Sequence, residues 1–157
     1  MNATDIMKYG NLTLQGSLKN VPDNEWETNG VCGFWSVKNI VAHLASHECV
    51  LVDVLTSFLG SNPTPYLDEY TAGLQFNDNQ VDKRMSLSPQ QTLAEYNDTH
   101  AKAMSLITQI PVETLRKVGT LSWYGPEYAL DDYIVYGIYG HKREHSAQVN
   151  VFTDRFK

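Results

Sequence analysis

Two histidines four residues apart occur twice in this chain, as His43 and His47 in AHLASHE and as His141 and His145 in GHKREH. Residues at i and i+4 leave an α-helix on nearly the same side, so each pair can direct two imidazole nitrogens at one ion, at about 2.0–2.1 Å for zinc. The second pair lies on the stripe Ile134, Ile138, His141, His145, Gln148, Phe152, whose steps of 4, 3, 4, 3 and 4 keep one side of a helix in register. Three polar groups thus occupy consecutive core positions. Burying them without partners costs about a few kcal/mol, and a metal ion is the partner that satisfies them together. Three neutral imidazoles and a water make the open tetrahedral site of a catalytic metal.

Spacing leaves open which histidine of the first pair takes part, because His43 and His47 are only about 40° apart around a helix. The stripe Val37, Ile40, Leu44, His47, Leu51, Val54, Phe58 favours His47, and Ile40, His43, His47, Val50, Val54 is nearly as regular. His100 has no helical partner and reads as a packing or surface residue. HKREH also fits the HxxEH pattern of inverzincin peptidases, with Glu144 as base. Only 12 residues follow His145, which leaves no room for the further carboxylate ligand those enzymes carry downstream. Glu144 therefore reads as solvated, or as an acceptor for an imidazole N–H. Lys142 and Arg143 point to other helix faces and read as solvated surface.

Four helical segments have to position these side chains, and none of the chain shows sustained period-two alternation, so the fold class is all-α. The first spans residues 4–18, weakened by Gly10 and Gly16. The second opens at Ser36, a good N-cap, and runs to Gly60, where a glycine can end it in a left-handed cap. The third starts at Ser88-Pro89-Gln90-Gln91, which supplies an N-cap, a first-turn proline and a capping-box glutamine, and stops before Pro111. The fourth spans residues 130–152 and carries HKREH in its second half. Helices of this length sharing one core make a four-helix bundle. Residues 61–87 are too long for a tight hairpin and form a crossover that favours parallel second and third helices.

The 157 residues suit a single domain, 1–157, and 42% hydrophobic with 19% charged residues is ordinary for a globular protein. A net charge of −6 opposes a nucleic-acid surface and an acidic membrane surface. MNATDIMKYG has no basic and apolar leader pattern, and no stretch reads as a membrane span, so a cytoplasmic location is expected. Cys32 and Cys49 form no CxxC pair and read as small buried hydrophobes in a reducing compartment. Trp123, Tyr124, Tyr128, Tyr133, Tyr136 and Tyr139 crowd the start of the fourth helix as packing residues or pocket walls. Trp26, Phe34 and Trp35 read as packing where the chain enters the second helix.

GFWSVKNIVAHLASHE resembles the DinB/YfiT-like signature in which Trp-Ser, six residues and His-Leu open the second helix. GHKREHSAQVN resembles that family's closing His-x-x-x-His-x-x-Gln, and NQVDKRMSLSPQQTLAEYNDTHAKAMSLITQIPVETL resembles its middle stretch. The resemblance covers nearly the whole chain. It implies an up-down-down-up bundle, a homodimer, and a divalent metal held by three histidines. Matched position by position, these are His43, His141 and His145, which overrides the periodic preference for His47. The cation could be zinc, nickel, iron or manganese. Some branches are thiol-dependent transferases, so a low-molecular-weight thiol is a possible cofactor and a small molecule the expected substrate. A metal-activated water would instead make a hydrolase. The non-catalytic alternative is a metal-stabilised dimer with a ligand-binding or sensing role.

Overall fold

The structure, a computed structural model, describes residues 2–73 and 75–157, and among these the regular elements are all helical. Helix α1 (Ala3–Leu18) starts where the Asn2 side chain accepts a hydrogen bond from the Asp5 backbone N–H. Helix α2 (Val37–Ser57) opens on a reciprocal cap, the Asn39 N–H donating to Ser36 Oγ and the Ser36 N–H to Asn39 Oδ1. It ends three residues short of Gly60. The hydroxyls of Thr56 and Ser57 donate to the carbonyls of Asp53 and Val54, and the Asn62 amide donates to the Thr56 carbonyl, so side chains satisfy the last turn before any glycine is needed.

Residues 58–88 cross the bundle as expected, but they fold on the way. Helix α3 (Pro65–Ala72) is anchored by Asp53 of α2, whose Oδ2 accepts from the backbone N–H groups of Tyr66 and Leu67 at 2.7 and 3.0 Å. Helix α4 (Phe76–Asp82) is followed by Arg84, buried and bonded to Gln80 and to both carboxylate oxygens of Glu95. Glu95 belongs to α5 (Pro89–Ile107), which carries the expected Ser88–Gln91 capping box. A short α6 (Val112–Leu115) follows.

Side-chain pairings fix the helix directions. Lys38, at the start of α2, donates to the Met85 carbonyl just before α5, and Glu48 halfway along meets His100 halfway along α5, so these two helices run parallel. Leu14 and Leu18, late in α1, share a core with Val37 and Ile40 from the start of α2 and with Val149 and Phe152 near the chain's end. Met7, early in α1, shares a second core with Val54 and Leu55 from the end of α2 and with Ile134 and Ile138. Helix α1 is therefore antiparallel to α2 and parallel to the last helix.

The last helix has three continuous parts: α7 (Leu130–Tyr133), a π-helical segment (Ile134–Gly140) and α8 (His141–Thr153). A wide π-turn holds residues four apart more nearly in phase than an α-turn does. The buried line accordingly runs Leu130, Ile134, Ile138, Lys142 and Ser146. Lys142 is thereby turned inward, with only 2% of its surface exposed, which corrects the expectation of a solvated side chain. Gly137 makes the wide turn possible, since a Cβ there would stand 2.7 Å from the Tyr133 ring.

Phe34 is a second correction. It is 91% exposed, at the tip of a tight turn closed by the Cys32–Trp35 bridge with Gly33 at φ +58°, whereas Trp26 and Trp35 pack on the core. Cys49 is buried and Cys32 half-buried, both as free thiols. Helix α2 is long and apolar enough to pass for a membrane span by length and composition, with a mean hydropathy of 1.3, but 83% of that window is buried inside the fold. It is the core helix of the bundle.

Candidate metal centre

His43 and His47 come from α2, His141 and His145 from the first turns of α8, and all four rings meet at one place. His141 stands at the centre. Its Nε2 lies 2.8 Å from His43 Nε2 and 2.9 Å from His145 Nε2. Both separations are shorter than twice a metal–imidazole bond of about 2.0–2.1 Å, so one ion can span either pair. The His47 and His141 ring centroids are 4.5 Å apart, and the ligand nitrogens of His43, His47 and His141 all lie within 4.8 Å of one another.

Periodicity favoured His47 and the resemblance implied His43; the fold brings both to the cluster and gives them different partners. His47 Nε2 sits 3.1 Å from Asn77 Oδ1 in α4. His43 packs its ring 4.9 Å from Trp35, and its Nδ1 is a buried nitrogen without a hydrogen-bond partner among the described residues. His145 Nδ1 lies 2.8 Å from Gln148 Oε1. With its proton donated there, His145 presents the lone pair of Nε2 to the cluster.

Burial keeps the four rings uncharged. It pushes His43 down to about 2, helped by His47, His141 and His145, and His141 down to about 2, helped by His47, His145 and Lys142. Burial likewise lowers His47 and His145, against the opposing bonds from Asn77 and Gln148. Neutral imidazole is the form that binds metal. Three Nε2 atoms meeting with few protons to share would set lone pair against lone pair, and a cation between them removes that repulsion. The donor set fits a divalent transition metal.

Directly behind the cluster lies a charged group that the sequence did not disclose. Glu48 and Lys142 form a buried ion pair, and the other Glu48 oxygen is 3.2 Å from His100 Nδ1. Burial alone would raise Glu48, but the Lys142 charge and the bonds from His100 and Lys142 hold it down to about 2. Lys142 also stands 5.5 Å from the Tyr96 ring centroid, and its stem runs past Gly10, where a Cβ would come within 3.5 Å of Lys142 Cδ. His100 is thus a buried partner of Glu48, apart from the imidazole cluster. Arg143 and Glu144 are exposed, Arg143 bonding the Tyr139 hydroxyl. Glu48 and Lys142 each adjoin a clustered histidine in sequence, and a buried charge there becomes visible only once the π-segment has turned Lys142 inward.

A family model described as the DinB superfamily matches residues 13–149. No curated protein and no solved structure shows a significant match to the chain.

Proposed function

From a chain that belongs to the DinB superfamily, in which the ring nitrogens of His43, His47 and His141 lie close enough to hold one ion and His145 Nε2 is 2.9 Å from that of His141, we propose a metal-dependent enzyme acting on a small molecule. The convergence of the His43, His141 and His145 Nε2 atoms, drawn from two helices, carries this reading. Those three residues would hold a divalent cation, zinc, nickel, iron or manganese, while His47 remains engaged with Asn77. Such a cation, when bound, supplies a water acidified towards neutrality or a seat for a thiolate.

The chain's own residues define the rest. Gln148 orients His145, and the Glu48–Lys142 pair ties α2 to α8 so that the two histidine pairs keep their separation. Because Lys142 is spent on Glu48, it cannot also hold the carboxylates of a thiol cofactor. That commitment favours water activation, and hence hydrolysis, over thiol transfer.

The test is a substrate screen on metal-loaded protein in two arms, one offering esters, amides and lactones, the other offering electrophiles with low-molecular-weight thiols. Turnover in the first arm that disappears in His43→Ala, His141→Ala and His145→Ala supports the proposal. Turnover confined to the thiol arm makes the protein a transferase. A protein that binds metal and is stabilised by it, yet turns over nothing, is a metal-stabilised binding or sensing bundle instead.

A further inference from the structure

Aromatic side chains from two separate connections meet beside His47. Tyr70 of α3, Phe76 and Asn77 of α4, and Trp123 and Tyr124 ahead of α7 line a cavity of about 570 Å³, with Thr71 completing the wall. That volume lies within the roughly 300–1,000 Å³ of small-molecule sites. Among the described residues no histidine lines the cavity, and its wall adjoins the imidazole cluster at His47. Asn77 Oδ1 is 3.1 Å from His47 Nε2, the Tyr70 and Phe76 ring centroids are 5.6 and 5.8 Å from that of His47, and His47 in turn is 4.5 Å from His141.

We propose that this cleft is the substrate pocket of the metal site and that it takes an uncharged aromatic small molecule bearing a hydrogen-bonding group; the inference rests on the metal-site reading above. None of the described lining side chains carries a formal charge, so an anion would give up its hydration with no counter-charge in return, and a cation would have only the aromatic rings to set against its lost hydration. The rings stand nearly perpendicular to one another, Tyr70 against Phe76 at 83° and against Trp123 at 87°. A planar guest among them gains edge-to-face and stacked contacts in place of water. Asn77 spends its carbonyl on His47, so its amide N–H groups are what a ligand meets, and Thr71, whose hydroxyl donates to the Leu67 carbonyl, offers a lone pair. The crossover helices thereby gain a purpose: α3 and α4 carry one aromatic wall, and the connection before α7 carries the other.

The experiment titrates phenol, 2-naphthol, benzoate and tetramethylammonium into chelator-treated and metal-loaded protein, following the Trp123 indole resonance by NMR. Phenol and 2-naphthol are expected to shift that resonance in both preparations, and benzoate and tetramethylammonium to bind about tenfold more weakly or worse. Trp123→Leu, read by tyrosine-ring resonances, and Asn77→Ala, which replaces an exposed side chain and keeps the fold, should each weaken 2-naphthol by about tenfold. Absence of binding by either neutral probe, equal binding of a charged one, or affinity unchanged in both variants overturns the proposal. Neutral-probe binding in a protein that takes up no metal sinks only the metal reading, whereas metal uptake without neutral-probe binding sinks only the pocket.

Discussion

Glu48 and Lys142 face each other as a fully buried ion pair, each one residue away in sequence from a clustered imidazole, His47 and His141. Removing one member leaves the other charged and without water. Lys142→Met should therefore destabilise the protein by about 3–5 kcal/mol in urea unfolding, and adding Glu48→Met should restore most of the loss. Equal or additive losses in the single and double variants would show that the pair is not coupled.

Acid should loosen the metal-free protein. His43 and His141 sit near 2 in the fold and near 6.5 when unfolded, so below about 6.5 the unfolded chain binds protons that the folded chain refuses. Their contribution is complete above that value and fades as pH falls, by at most about 1.4 kcal/mol per pH unit for each ring. Glu48, held near 2 against an ordinary 4.5, adds a loss of the same sign further down, complete above 4.5 and fading towards 2. Urea unfolding free energies should decline steadily as pH falls from about 6.5 to about 5. A stability that is flat or rises on acidification contradicts neutral buried rings.

Much of this arrangement can be read from local chemistry. Ser36 and Ser88 set their helix starts through bonds within four residues, and Pro89 and the apolar stripes are equally local. The four histidines were visible for the same reason, since i and i+4 neighbours meet in any helix. The buried charge was hidden. Lys142 turns inward because Gly137 and Tyr133 together widen the helix, and no 3.6-residue period contains that event. Helices α3 and α4 were hidden too: α3 takes its cap from Asp53 on another helix, and α4 is held through Arg84 by Glu95 on α5. At Phe34 a tight turn, closed by the Cys32–Trp35 bridge, outweighs hydrophobicity in deciding where the side chain points.

Two glycines should respond in opposite ways to alanine. At Gly137 the new methyl would stand 2.7 and 2.8 Å from ring atoms of Tyr133, so Gly137→Ala should cost about 1–3 kcal/mol and weaken metal binding as the π-segment shifts. At Gly16 nothing lies within 4 Å, and Gly16→Ala should stabilise α1 by about 0.5–1 kcal/mol. Thermal and urea unfolding of the two variants, with metal affinity alongside, check the contrast.

Gln148 meets the site through His145, whose Nδ1 lies 2.8 Å from Gln148 Oε1. Gln148→Leu leaves all three Nε2 donors in place but releases the His145 Nδ1 proton, and metal affinity should fall about 10–100-fold in a competition titration with a chelator. An unchanged affinity would mean that the 2.8 Å contact does not orient the ring.

The most direct measurement is a cobalt(II) titration of the metal-free protein read by its d–d absorption. The account predicts one ion per chain, with the intense bands of a four-coordinate imidazole site, and loss of those bands in His43→Ala, His141→Ala and His145→Ala. Saturation without such bands, or a spectrum left intact by all three substitutions, would contradict it.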